Sequence, residues 1–231
     1  MSAPSPVPGD TNLAAVGSLL AEPARAKILL ALTDGRSLAA SVLASEAGVA
    51  PSTASHHLAR LVDAGLITAV SSGRHRYFAL AGPEVAELIE VIARVAPPEP
   101  ITSLREGTRA HAVRYARRCY DHLAGRLGVA VAEALQERGI VLAGDGAGYI
   151  VTDEGASALS ELGIDACSGD VSRCCLDWTE RRNHIAGTLG RALLTRLFDL
   201  GWISGDARTR AVRITDAGRE NIPARLGVHL P

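Results

Sequence analysis

The sequence predicts a mainly α-helical protein with small β-hairpin wings, an α+β fold. An N-terminal winged helix–turn–helix is followed by a second, winged-helix-like domain. Three observations predict this fold. Apolar residues recur at helical spacing through most of the chain. Short strand-like segments follow several of these helices, each after a glycine. The length of 231 residues, with 47% hydrophobic content, suits two small domains.

The first elements are helices. Residues 1–10 are rich in Pro and Ser and are predicted to be a disordered tail. A helical pattern covers residues 13–32, and Pro23 divides it into two helices because proline cannot continue a helix. A further short helix is predicted over 37–48, ending in a tight turn.

The next helix begins at Pro51, where the missing N–H of proline costs nothing. Leu58, Leu61 and Val62 form one apolar stripe, and Gly65 suits a left-handed helix end. Two strands over 66–70 and 77–80 then form a hairpin. The polar residues of the helix and of the hairpin tip are Ser52, Thr53, Ser55, His56, His57, Arg60, Arg74, His75 and Arg76.

A helix with this polar face fits the DNA major groove, and a basic hairpin tip can bind a phosphate or the minor groove. We therefore expect the nine polar residues to read bases and position phosphates. The net charge of −1 excludes a uniformly basic protein, so the affinity must come from this local patch. The alternative is a solvated helix and hairpin without a nucleic-acid role.

A further amphipathic helix is predicted over 84–96, and a proline-rich stretch follows it. We place the domain boundary there. The predicted division is a DNA-binding and dimerisation domain over 11–97, a linker over 98–104 and a C-terminal sensor domain over 105–231.

Residues 11–96 resemble the ArsR/SmtB family of bacterial winged-helix repressors. The resemblance is carried by LLAEPARAKILLAL (19–32), VAPSTASHHLARLVDAGLI (49–67) and GRHRYFAL (73–80). It implies a cytoplasmic homodimer that pairs through 11–21 and 84–96 and represses transcription from double-stranded operator DNA until an effector binds. Family members sense metals through a Cys-x-Cys-type motif before the recognition helix or through an Asp/His/Glu set on the last helix. This chain has no Cys in the helix before the recognition helix and no His in the last helix, 84–96.

The second half carries a repeated pattern. A basic helix is predicted over 105–123. The segments YIVTDEGASALSELGI and AVRITDAGRENIPARLGV then align, each with a hairpin strand leading into a helix. This pattern predicts two winged-helix-like half-units, although helix–Gly–hairpin–helix is also a common motif without shared ancestry.

Four cysteines and one histidine of the second half are candidate ligands. Residues 105–226 resemble the C-terminal extension of longer ArsR-type regulators, a match that does not name the ligand. Thiolates of three cysteines suit Cd²⁺, Pb²⁺, Zn²⁺ or arsenite, and a histidine can complete a tetrahedral set. The spacing also fits a redox sensor or a structural role for the cysteines. The alternatives for function are a regulator that responds to redox change or a small molecule without metal, and a thiol-based metal-binding protein. The candidates are Cys119, Cys167, Cys174, Cys175 and His184.

No catalytic signature is found, so an enzyme is not expected. The Gly-rich stretch 144–148 lacks the Lys-Ser/Thr of a phosphate-binding loop and is better explained as a hairpin turn. His111 and His122 form no recognisable triad with Asp121 and are expected at exposed helix positions. We also expect no signal peptide and no membrane span.

Overall fold

A computed structural model of the chain describes residues 11–73, 75–97, 104–144, 148–205 and 209–231. The predicted tail over 1–10 lies outside the described residues, as does nearly all of the predicted linker. None of the helices in the described part combines the length and apolar content that a bilayer crossing needs.

The N-terminal half is a winged helix–turn–helix. Its three strands form an antiparallel sheet in the order β1-β3-β2. The elements are α1 (Leu13–Leu20), α2 (Pro23–Leu32), β1 (Leu38–Ala39), α3 (Ala40–Ala47), α4 (Pro51–Asp63), β2 (Ile67–Ser72), β3 (His75–Leu80) and α5 (Pro83–Val95).

Local signals explain most of these boundaries. Pro23 is the first residue of α2 and Glu22 before it is extended, which confirms the predicted break. Gly48 caps α3 in the left-handed conformation, with φ of 70°. Gly65 also has φ of 70°, and the chain turns there from α4 into the wing.

The C-terminal half consists of a helix followed by two similar units of hairpin, helix, hairpin and helix. The first unit runs from β4 to α8 and the second from β8 to α10. The elements are α6 (Leu104–Tyr115), β4 (Arg117–Cys119), β5 (His122–Ala124), α7 (Gly125–Glu137), β6 (Val141–Ala143), β7 (Gly148–Val151), α8 (Asp153–Glu161), β8 (Val171–Leu176), β9 (Asn183–Ile185), α9 (Gly187–Asp199), β10 (Ile203–Gly205), β11 (Val212–Ile214) and α10 (Asp216–Leu226).

Matching hydrogen bonds support the repeat. Thr152 caps α8 by accepting from the Gly155 N–H, and its hydroxyl donates to the Gly139 carbonyl at 2.7 Å. Thr215 caps α10 in the same way, and its hydroxyl donates to the Gly201 carbonyl at 2.6 Å. The predicted pair of similar segments is therefore confirmed, and each unit also includes the hairpin and helix that precede it.

The prediction of one helix over 105–123 is wrong beyond residue 115. The chain leaves the helix there, and Arg117–Cys119 pairs with His122–Ala124 in a hairpin whose turn contains Tyr120 at φ of 55°. Long-range contacts favour the hairpin, because the Arg118 N–H donates to the carbonyl of Arg210 and Arg117 bridges to Ala211. Local periodicity carries no information on such partners.

Buried apolar side chains form two clusters, one from Ala24 to Ile89 and the other from Ala116 to Val228. The halves also touch. Tyr120, in the β4–β5 turn, packs against the first cluster, and its N–H donates to the carbonyl of Thr33 at 2.5 Å. The hydroxyl of Thr33 accepts from Arg210 at 2.6 Å. The first hairpin of the C-terminal half is thus attached to the end of α2.

Candidate functional site

Helix α4 presents a polar face to solvent. Its inner side is anchored in the N-terminal core by Ala54, Leu58 and Leu61, which are all buried. The outer residues belong to the first two turns and the last turn, and all of them are exposed. They are Ser52, Thr53, Ser55, His56 and Arg60.

The wing adds positive charge beside this helix. His75 and Arg76 are exposed at the start of β3. The guanidinium of Arg76 lies 5.3 Å from the ring centre of Phe78, which holds the side chain along the strand. Arg74, predicted as a phosphate contact, lies outside the described residues.

His57 differs from its neighbours, and its predicted base contact is corrected. Its side chain is buried on the inner face of α4, 9% exposed. The position is four residues before Leu61 and one turn after Ala54, so it belongs to the apolar stripe. We remove His57 from the DNA-facing set.

The candidate metal ligands of the C-terminal half divide into two groups. Two hairpins each pair a cysteine directly with a histidine: Cys119 opposes His122 in β4–β5, and Cys175 opposes His184 in β8–β9. One donor atom from each of the four lies within 4.8 Å of every other. We call these four residues the Cys₂His₂ cluster.

The other two cysteines lie elsewhere. Neighbouring residues of a strand point to opposite faces, so Cys174 is turned away when Cys175 faces the cluster. Cys167 is exposed in the loop before β8. The structure therefore brings together three of the five predicted ligands and leaves out Cys167 and Cys174.

His122 is the residue that sequence reasoning missed. The expected exposed helix position is wrong, because His122 lies in β5 and is 6% exposed. A signal was present: Cys119 and His122 flank a two-residue turn, and the order Cys-x-Asp followed by His recurs at Cys175, Asp177 and His184.

Both histidines carry a carboxylate at the outer ring nitrogen. Asp121 Oδ1 lies 3.2 Å from His122 Nδ1, and Asp177 Oδ2 lies 3.6 Å from His184 Nδ1. The two Nε2 atoms face each other at 3.1 Å. Of the two carboxylate contacts, only that to His122 is a hydrogen bond, and Nδ1 of His184 has no hydrogen-bond partner among the described residues. A carboxylate bonded to Nδ1 leaves Nε2 as the inward-facing metal ligand, an arrangement seen in many metal sites.

Asp177 itself is held by a buried network. Its carboxylate accepts from Arg117 Nη2 at 2.9 Å and from the Gly125 N–H at 2.7 Å. Both charged side chains are fully buried. Burial alone would raise the pKa of Asp177, but the Arg117 charge and these hydrogen bonds outweigh it and hold that pKa well below its ordinary range.

The two thiols of the cluster have pKa values that are shifted in opposite directions. The hydrogen bond to Cys175 and burial raise the pKa of Cys119 well above its ordinary value. The pKa of Cys175 is strongly lowered, first by the Cys119 thiol and then by the two histidines, against the effect of burial. Burial lowers the pKa of His122, but hydrogen bonds to Asp121 and Cys175 outweigh that effect and raise it. The opposite shifts of the two thiol pKa values reflect the packing of Cys119 and Cys175 against each other in a buried site.

A cavity of about 370 Å³ adjoins the cluster. Its lining includes Glu87, Glu90 and Arg94 of helix α5 and residues of the two hairpins, among them Cys119, His122, Cys174 and Cys175. Glu90 is 4% exposed, and its Oε2 atom has no hydrogen-bond partner among the described residues. The cavity gives a small ion access to the cluster from the side of α5.

Comparison with known proteins gives the family. A family model described as a helix-turn-helix domain matches residues 20–70. The uncharacterized HTH-type transcriptional regulator YdfF of Bacillus subtilis (strain 168) is 43% identical over 224 residues, covering 95% of this chain and 99% of YdfF. The chain belongs to the ArsR/SmtB family of winged helix–turn–helix transcriptional regulators.

Other relatives match less than half of this regulator. The HTH-type transcriptional regulator CmtR of Mycobacterium tuberculosis (strain H37Rv) is 36% identical over 100 residues, 42% of this chain and 84% of CmtR. Among solved structures, the homodimeric winged helix-turn-helix DNA-binding domain of Mb0332 from Mycobacterium bovis shows 34% identity and a TM-score of 0.33, covering 36% of this chain and 76% of that one. The AntR antimony-specific transcriptional repressor shows 25% identity and a TM-score of 0.33, with 36% and 75% covered.

The match to YdfF has a consequence for the second half of this regulator. Because it covers 95% of the chain, it takes in the duplicated C-terminal units as well as the winged helix. The C-terminal extension is therefore a feature that this regulator shares with a relative over its full length.

Proposed function

We propose that this regulator is a homodimeric repressor that binds a palindromic operator through α4 and the wing, and that an effector bound by the C-terminal thiols, a thiophilic metal or metalloid ion, releases it. The exposed polar face of α4 beside the exposed cationic wing carries the proposal. The inner face of the helix is fixed in the core, so the outer face is free to enter the major groove.

Exposed apolar residues support the dimer. Helix α1 has no buried residue although its sequence, LAAVGSLL, is mostly apolar. Leu13 is 75% exposed in α1, and Val95 is 82% exposed at the end of α5. Water-exposed apolar faces on two helices are stabilised by burial against a second copy. A twofold dimer then presents two recognition helices about one DNA turn, ~34–36 Å, apart.

The contact between the halves supports release by an effector. The turn that joins Cys119 to His122 contains Tyr120, whose N–H donates a hydrogen bond to the carbonyl of Thr33 at the end of α2. Residues of helix α5 also line the cavity beside the cluster. A ligand that draws the two hairpins together therefore shifts groups that touch α2 and α5, and this shift can bias the dimer away from its DNA-binding geometry.

The experiment is a fluorescence anisotropy titration of DNA from the regulator's own promoter, with unrelated duplex as competitor. Arg60→Ala should weaken specific binding by about 1–3 kcal/mol, about 5- to 150-fold, if Arg60 reads a guanine. Arg213→Ala, an exposed arginine in β11, is the matched control and should bind like the wild type. If Arg60→Ala bound promoter and unrelated DNA with the same affinities as the wild type and Arg213→Ala, the assignment of the α4 face as the DNA-binding surface would be wrong.

Thiol oxidation is a second candidate for the signal, favoured by the sulfurs of Cys119 and Cys175, which lie within 4.8 Å of each other. In that reaction the two thiols give up two electrons and two protons to a hydroperoxide, a disulfide forms, and the peroxide leaves as an alcohol and water. Titration of the promoter complex with Cd²⁺, Zn²⁺, arsenite and peroxide in parallel separates the two signals.

A further inference from the structure

We propose that the Cys₂His₂ cluster is a four-coordinate site for a divalent cation of the Zn²⁺ class, built from equivalent positions of two duplicated units. The site itself rests on the geometry of the cluster. Its role in releasing DNA rests on the function proposed above.

The four donors have the separations that such an ion needs. With Zn–S near 2.3 Å and Zn–N near 2.0–2.1 Å, tetrahedral coordination places neighbouring donors about 3.3–3.8 Å apart. The donors here lie within 4.8 Å of one another, and the two Nε2 atoms are 3.1 Å apart. Shifts of about 1 Å or less at side-chain ends therefore convert the cluster into a tetrahedral site.

The donor set selects the class of ion. Two thiolates and two neutral imidazoles around a divalent cation give a complex without net charge, which a buried site tolerates best. Tetrahedral S₂N₂ coordination is typical of Zn²⁺, and Cd²⁺ has the same charge and a stronger preference for sulfur. Three thiolates are not available, because Cys167 and Cys174 lie outside the cluster. The cluster therefore does not suit arsenite bound through three thiolates.

The duplication explains how the two halves of the site meet. Helix α7 of the first unit packs on β9 of the second, and α9 of the second packs on β5 of the first. A Cβ at Gly128 would lie 3.7 Å from His184 Cβ, and a Cβ at Gly190 would lie 3.0 Å from His122 Cβ. The missing side chain of Gly190 thus leaves room for His122 of the other unit, whereas a Cβ at Gly128 would clash with the Leu123 carbonyl of its own unit, 2.4 Å away. An ion bound by both hairpins links the two units.

The supporting carboxylates follow the same repeat. Asp121 and Asp177 each come two residues after the cysteine of their unit, and each faces the Nδ1 atom of its unit's histidine. A carboxylate hydrogen-bonded to Nδ1, as Asp121 is to His122, fixes the tautomer of a metal-bound histidine and strengthens its ligand nitrogen. Asp177 lies 3.6 Å from His184 Nδ1 and acts there through its charge. Both units carry a cysteine, a carboxylate and a histidine at matching positions. The arrangement therefore follows the repeat of the chain and is not a coincidence of packing.

The test is a titration of the reduced full-length protein with Co²⁺, which reports tetrahedral coordination and thiolate bonding in its absorption spectrum. Competition by Zn²⁺ and Cd²⁺ then gives their affinities. We expect one Co²⁺ per chain, with thiolate-to-metal charge transfer and tetrahedral ligand-field bands. Cys175→Ser and His122→Ala should each lower the affinity more than 100-fold, beyond the 10- to 100-fold loss expected for Asp121→Asn. Circular dichroism of each variant without metal verifies that it is folded.

Cys174→Ser is the matched control, because it removes the adjacent thiol on the other face of the same strand. It should bind Co²⁺ like the wild type, as should Cys167→Ser. If Cys174→Ser loses as much affinity as Cys175→Ser, or if His122→Ala binds unchanged, the proposed site is wrong.

The two proposals fail in different ways. Tetrahedral S₂N₂ binding without any change in promoter affinity would leave the site standing and contradict the release mechanism. Metal-induced release that persists in both Cys175→Ser and His122→Ala would support an effector-released repressor and overturn this site.

Discussion

Replacing Asp177 by alanine removes the partner of a fully buried arginine. In the native protein the carboxylate accepts hydrogen bonds from Arg117, from the Gly125 N–H and from both the N–H and the hydroxyl of Thr179. Arg117 has no exposed surface, so the variant leaves its charge without compensation in the core. Breaking one side of such a pair costs about 3–5 kcal/mol. Since a domain of this size has a free energy of unfolding of about 5–15 kcal/mol, the loss is a large share of it.

Urea unfolding followed by tryptophan fluorescence measures this loss in the C-terminal half, because both tryptophans, Trp178 and Trp202, lie there. We expect Asp177→Ala to lower the free energy of unfolding by about 3–5 kcal/mol. Asp199→Ala, an exposed position in α9, is the control and should change it by less than about 0.5 kcal/mol. Arg117→Met combined with Asp177→Ala removes the stranded charge and should recover at least about 1 kcal/mol.

The pH dependence of the free energy of unfolding gives a second test of the Arg117–Asp177 ion pair. The pKa of Asp177 is held well below its ordinary value, so the carboxylate stabilises the fold above the unfolded pKa of about 3.9 and loses that contribution as the pH falls below it. The difference in the free energy of unfolding between wild type and Asp177→Ala should therefore be largest at neutral pH and should decrease below about pH 4. The assignment of this ion pair would be refuted if Asp177→Ala lowered the free energy of unfolding by less than about 1 kcal/mol at neutral pH. It would also be refuted if adding Arg117→Met to Asp177→Ala restored no stability.

Three further predictions concern the dimer, the wing and the repeat. Val95→Glu places a charge on the exposed apolar end of α5 and should shift the protein towards monomer in sedimentation velocity; an unchanged dimer would exclude α5 from the interface. Arg76→Ala should weaken binding to all duplexes alike and reduce the slope of log affinity against log salt by about 1, whereas a loss confined to the promoter would indicate base reading. Gly190→Ala would place a Cβ 2.4 Å from the Ile185 carbonyl of its own unit and 3.0 Å from His122 Cβ of the other unit, so we expect about 1–3 kcal/mol of destabilisation by urea unfolding. Wild-type stability would contradict this close packing of α9.

In the N-terminal half, local sequence signals were sufficient to predict the main helix boundaries and the exposed face of α4. The break at Pro23, the left-handed turn at Gly65 and the helix beginning at Pro51 all follow from the conformational limits of single residues. The exposed face of α4 follows from helical spacing. The same spacing also assigns His57 to the buried face, because the apolar stripe extends one turn back from Leu61.

The Cys₂His₂ cluster depended on long-range contacts that the sequence does not display. The chain leaves α6 after Tyr115 because the segment from Arg117 onward pairs with distant residues, among them Asp177, sixty positions away. Sequence reasoning also treated the vicinal Cys174 and Cys175 as one unit. Strand alternation allows only one of them to face the cluster, and the register of β8 on β9 decides which.

The most direct test measures promoter affinity with and without Zn²⁺ or Cd²⁺ in three proteins: the wild type, Cys174→Ser and Cys175→Ser. Couplings between ligand sites are commonly about 5- to 150-fold, so metal should weaken promoter binding of the wild type and of Cys174→Ser by a factor in that range. Cys175→Ser should bind the promoter equally well with and without metal. The same response to metal in all three proteins, or in none of them, would contradict the account.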